Sequence, residues 1–170
     1  MNEVFPKLCS APLGEAAAGS IVLIPHNDGL LLSLVTDESV QAHVRSIVIL
    51  NLNQPSSPSV VFHENWGKSQ ICLCYETPLR FEISNKEDDI GTNSKWWRHV
   101  GVITSIRNEF FIRAAAPACN GFHDINVQTG AIFSGEKPNV YGVFGVWEIW
   151  LRDPLRERSA PIFNFNIHSQ

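Results

Sequence analysis

A chain of 170 residues with 44% hydrophobic and 18% charged residues can fill a core without disulfides or metal, which excludes a disordered chain. Its formal net charge of −4 provides no basic field, so nucleic acid and membrane are not expected as partners. No apolar run approaches the roughly 18 residues that cross a bilayer as a helix, and Glu3, Pro6 and Pro12 interrupt any signal-peptide pattern, so a soluble, cytoplasmic protein is expected.

Residues 1–19, rich in Ala, Pro and Gly, read as a loosely packed N-terminal arm. A β pattern begins at residue 20. SIVLIP (20–25) and LLLSLVT (30–36) flank His26-Asn27-Asp28-Gly29, a hairpin signal because a type I′ turn needs positive φ at both central residues. DESVQAHV (37–44) fits one short helical turn, capped by Asp37 with Val40 and Val44 on one face. RSIVILNLN (45–53) is a strand, and QPSSPS (54–59) is a loop by composition.

VVFH (60–63), SQICLCY (69–75) and LRFEIS (79–84) follow as strands. In the last, Leu79, Phe81 and Ile83 alternate with polar neighbours, the mark of one buried face. The polar stretch 85–94 is a long loop or a division between two halves. Residues 95–116 predict a hairpin whose first strand opens on the cluster Lys95-Trp96-Trp97-Arg98-His99. PACNG (117–121) is a turn, and residues 122–135 hold one or two short strands. VYGVFGVWEIWLRDP (140–154) is a strand with two early glycines, a sign of a bulge or a close backbone approach. Alternation of Phe163, Phe165 and Ile167 with polar residues marks a terminal strand.

Short strands at near-regular spacing with almost no helix predict an all-β fold, an antiparallel β-sandwich or a distorted β-barrel with at most one or two short helical turns. Residues 20–170 are expected to form a single all-β domain, with 85–95 as the place for any division. The expected core includes Ile21, Leu23, Leu32, Val48, Leu50, Phe81, Val102, Phe111, Trp147, Ile149, Phe163 and Phe165.

No Walker A, G-x-G-x-x-G, H-E-x-x-H or G-x-S-x-G motif is present. Adjacent Trp96 and Trp97 face opposite ways on a strand, so one enters the core and the other can stack on a ligand beside Arg98 and His99. Cys119, His123 and Asp124 carry the residue types of a nucleophile, a base and an orienter, but such sets are usually assembled from distant segments. Cys72, Cys74, Cys119 and His123 could supply four ligands, with His26, His63 and His99 as further options. They lack the paired knuckles of structural zinc sites, and no metal or cofactor is assigned. Free thiols in a reducing compartment are the simpler reading of the four cysteines.

The leading functional expectation is a non-catalytic protein that binds another protein, or another copy of itself, through an exposed aromatic patch around Trp96 and Trp97 or through a sheet edge. The alternative is a small-molecule binder or enzyme whose pocket, between sheets or in a barrel mouth, draws on Trp96, Trp97, Arg98, His99, Arg113 and His123.

Overall fold

The computed structural model describes the chain except for residues 1–7, 28, 39–40, 52–59, 77–78, 85, 87–89, 92–98, 134–141, 152–160 and 170. The described residues form fourteen strands in two sheets: β1 (Leu8–Pro12), β2 (Ile21–His26), β3 (Gly29–Val35), β4 (Val44–Ile49), β5 (Val61–Gly67), β6 (Ile71–Tyr75), β7 (Leu79–Ile83), β8 (Ile90–Gly91), β9 (Ile103–Ile106), β10 (Glu109–Ala116), β11 (Gly121–Asn126), β12 (Gly142–Phe144), β13 (Val146–Leu151) and β14 (Phe163–Asn166). The long sheet runs β1-β6-β2-β3-β4-β5-β10-β9-β12-β8, with β11 added on β10, and the short one runs β14-β13-β7. The fold is all-β, and among the described residues no sheet closes into a barrel. Pairing is antiparallel except at the junction of β5 and β10, which meet in parallel at Val61 and Ala115. Both sheets take strands from either side of residues 85–95: β7 pairs with β13, and β5 with β10. No described helix is long and apolar enough to cross a membrane.

The main core lies between the sheets. From the short sheet, Trp147, Ile149 and Phe165 meet Leu32, Leu34, Val48, Ile103 and Ile112 of the long sheet. Trp147 is fully buried and stacks on Phe165 at 5.4 Å between ring centroids, with Phe163 at 5.3 Å and Phe81 at 5.8 Å. Its indole Nε1 donates to the Gly101 carbonyl at 2.7 Å, so the largest core side chain leaves no orphaned donor. Gly101 adopts φ +84°, and a Cβ there would lie 2.1 Å from the Phe165 ring. Every expected core residue is buried or half-buried, with Leu23, Phe81 and Phe163 packed against the cluster from its margin.

A second core forms where the long sheet curls. Val22, Ile24, Val35, Ile47, Ile49 and Cys72 enclose Leu13 and Ala16. Strands β5 and β6 are joined by only three residues yet pair with different neighbours, so the curl brings the two ends of this strand group together.

Four expectations are corrected. Residues 8–15 are not a loose arm: β1 pairs with β6, and a 3-10 turn over Leu13–Glu15 buries Leu13 completely in the second core. Residues 37–44 hold no helix among those described; the Val44 N–H closes a single tight turn on the Gln41 carbonyl at 3.2 Å, and Val44 then opens β4 opposite Gly67. His99 lies in a bend, not on a strand, because the backbone turns at Gly101 and the first strand of that hairpin starts at Ile103. The expected strand over 140–154 breaks, within its described residues 142–151, at the buried Gly145: β12 stays in the long sheet while β13 crosses to the short one, which makes a corner of the sandwich.

Candidate functional site: a cavity between the sheets

Where β7 faces the curled end of the long sheet, the described residues leave the interior unfilled. A cavity of about 770 Å³ remains, within the range of small-molecule sites. One wall is the inward face of β7, with Leu79, Phe81 and Ile83 at every second position, the alternation visible in LRFEIS. Opposite stand Ile21 of β2, Tyr75 of β6, Ile103 of β9 and Phe110 of β10. Val127, just past β11, completes the apolar lining.

Polar groups are few. Ser20, Arg80 and Gln128 line the cavity, and the Ser20 hydroxyl is already committed to the Ala17 carbonyl. Arg80, largely exposed, makes a single-edged ion pair from Nη2 to Glu82 Oε1 at 3.4 Å. The Tyr75 hydroxyl has no hydrogen-bond partner among the described residues, and burial raises its pKa above the ordinary phenol value, so it stays a neutral donor at physiological pH. An apolar chamber with one free phenol can hold a mainly hydrocarbon molecule and orient one polar group, while the Arg80 guanidinium stands with Glu82 on the outer face of β7.

An apolar shelf leads away from this cavity. The register places Leu8, Tyr75, Ile21 and Leu34 in one row across β1, β6, β2 and β3, with Ser10, Leu73, Leu23 and Leu32 in the next. Pro12, Ile71, Pro25 and Leu30 form the third. Ile71 and Leu30 are 49% and 47% exposed, so the short sheet does not cover this end.

The described residues among those expected to form a site, His99, Arg113 and His123, do not converge. Trp96, Trp97 and Arg98 lie outside the described residues, and His99 is exposed. Arg113 is buried and held by Asp124 in a two-pronged pair, Nε to Oδ1 at 2.9 Å and Nη2 to Oδ2 at 3.0 Å, with its guanidinium 5.8 Å from the Phe122 ring. His123 pairs in register with Ala114 and therefore faces the opposite side of the sheet from Arg113. Its ring meets Phe62 edge-on at 4.6 Å, and its Nε2 is 3.9 Å from the Cys119 sulfur. The Cys119–His123 contact expected for a nucleophile and base is thus present, but Asp124 is turned to Arg113 and orients nothing on His123.

The four suggested metal ligands form two separate pairs. Cys72 and Cys74 have their sulfurs 3.8 Å apart, and no group of three or more His, Cys, Asp or Glu with metal-binding geometry occurs among the described residues. Burial, then the neighbouring Cys74, pushes the Cys72 thiol up to about 12, so it stays protonated.

Sequence reading missed Trp66. It sits between two imidazoles, His26 at 5.8 Å and His63 at 5.7 Å, and its buried Nε1 has no acceptor among the described residues. Strands β2 and β5, which bear them, have β3 and β4 between them in the sheet, and only its curl joins them. The cavity itself was equally invisible, since Ile21, Tyr75 and Phe110 are ordinary strand residues until the topology opposes them to β7. The chain is similar to no known protein family, no curated protein and no solved structure, so its site is read from geometry alone.

Proposed function

We propose that the protein is a non-catalytic binding protein that takes a small, mainly apolar molecule between its two sheets. The cavity of about 770 Å³, with apolar walls from β2, β6, β7, β9 and β10, carries this reading. Tyr75 supplies the polar contact that sets orientation. The four cysteines are free, which fits a reducing compartment such as the cytoplasm.

Fluorescence titration with 1-anilinonaphthalene-8-sulfonate tests the proposal. Saturable binding at one site is expected, with near-UV circular dichroism unchanged so that a molten state does not mimic it. Ile83→Trp, which narrows the chamber, should weaken the saturable component. If Ile83→Trp folds and binds as well as the parent chain, the cavity is not the site.

A second reading, contact with another protein, draws on a different observation. Leu30, Ile71 and Leu8 are exposed on one continuous face beside the edge strand β1. Under this reading the shelf, rather than the Trp96–Trp97 cluster, is the contact.

A further inference from the structure

Three thiols share one face at the edge of the long sheet. Cys9 of β1 stands directly opposite Cys74 of β6, and opposed residues of an antiparallel pair project to the same side. Cys72, two positions before Cys74, points the same way. The Cys9 thiol donates to the Cys74 carbonyl at 3.7 Å, the Cys72 thiol donates to the Ala11 carbonyl at 3.3 Å, and the Cys72 and Cys74 sulfurs are 3.8 Å apart. Exposure is graded along the row: Cys9 is exposed, Cys74 intermediate and Cys72 buried.

From this arrangement we infer that Cys9 and Cys74 form a dithiol site that reacts with low-molecular-weight disulfides of the glutathione type and closes into a cross-strand disulfide. Backbone geometry selects this pair. Directly opposed antiparallel residues have Cα atoms about 4.5–5.5 Å apart, inside the roughly 4.4–6.8 Å window of a disulfide. Residues two apart on one strand are separated by about 6.6 Å with parallel side chains, at the limit of that window, so Cys72 and Cys74 are the poorer couple despite their contact. Access selects the order of events, since an external disulfide reaches Cys9 and not the buried Cys72.

The chemistry balances as two thiol–disulfide exchanges. Cys9, as thiolate, attacks one sulfur of the small disulfide, forming a mixed disulfide and expelling a small thiolate that takes up the released proton. Cys74, as thiolate, then attacks the Cys9 sulfur and expels the second small thiol. The protein dithiol is oxidised by two electrons, and the small disulfide is reduced to two thiols. Burial raises the Cys74 thiol above its ordinary pKa, so the closing step accelerates as pH rises from neutral. The product staples the edge strand β1 to β6 beside Leu8 and Tyr75, the row that flanks the cavity.

The full chain incubated with oxidised glutathione tests this by intact mass and peptide mapping. The expected product is two hydrogens lighter and carries a Cys9–Cys74 cross-link. It should form in Cys119→Ser as in the parent chain and be absent in Cys9→Ser, a substitution at an exposed position that the fold accommodates. The half-time of closure should shorten several-fold from pH 7 to pH 8. A Cys72–Cys74 cross-link in the parent chain overturns the inference, as do stable glutathione adducts without closure or no reaction at Cys9.

Discussion

Arg113 and Asp124 show how a side chain that looks available for a ligand can be spoken for by the fold. Both are buried, and the two-pronged pair satisfies the guanidinium edge and both carboxylate oxygens. Removing one partner leaves a desolvated charge, so Asp124→Asn should lower stability by about 3–5 kcal/mol in urea unfolding. Replacing both, as Arg113→Met with Asp124→Leu, should recover most of that loss, because the pair is then exchanged for packing and not broken. His63 makes a prediction about pH. Partial burial beside Trp66, with the His26 charge nearby, lowers its pKa although the ring remains exposed on one side, while Glu64 acts in the opposite direction. A histidine depressed in the folded state binds its proton more readily when unfolded, so stability is full above the unfolded value near 6.5 and falls as pH drops through the folded value. The thermal midpoint of the parent chain should therefore decline below about pH 6.5 more steeply than that of His63→Gln. Equal slopes would show that the imidazole does not couple to folding.

At the scale of elements, the hairpin of β9 and β10 turns on two residues, Arg107 at φ +52° and Asn108 at φ +66°. With Ile106 paired to Glu109, this is a type I′ turn, whose left-handed positions favour Asn-Gly over Arg-Asn. Arg107→Asn with Asn108→Gly should raise stability by about 0.5–1 kcal/mol, measured as a higher urea midpoint at unchanged slope. Periodicity made much of this scale legible. Alternation in LRFEIS located β7 and its inward face, and the Asn-Asp-Gly signal located the β2–β3 hairpin, whose Asn27 has φ +47°. What failed depends on partners far away in sequence. Val44 is a strand residue because Gly67 pairs with it, and residues 8–12 are a strand because β6 offers an edge. The break at Gly145 follows from the two sheets competing for one chain. The candidate site was less legible still: the chosen residues were rich in chemistry, whereas the cavity is lined by residues whose only distinction is where the topology leaves them unopposed.

The whole molecule combines a complete core around Trp147 with a chamber that the same two sheets leave open at the end of β7. An apolar lining exposed to water withholds burial free energy from folding, about 25 cal/mol per Å² of surface, and a ligand that covers it returns that term to the folded state alone. Binding and stability must then be linked. At a free ligand concentration near 100 times Kd the gain is about 2.7 kcal/mol, which for a domain of this length raises Tm by roughly 5–10 °C. This shift separates the two functional readings. Lysines at Leu30 and Ile71 put charge on the shelf and leave the cavity lining untouched, so they should abolish any self-association or partner capture while the ligand-induced rise in Tm persists. Ile83→Trp should do the reverse, narrowing the chamber and reducing the ligand response with the shelf intact. A ligand-induced shift lost on charging the shelf and retained in full on narrowing the chamber would move the binding site out from between the sheets onto the open face of β1, β6, β2 and β3.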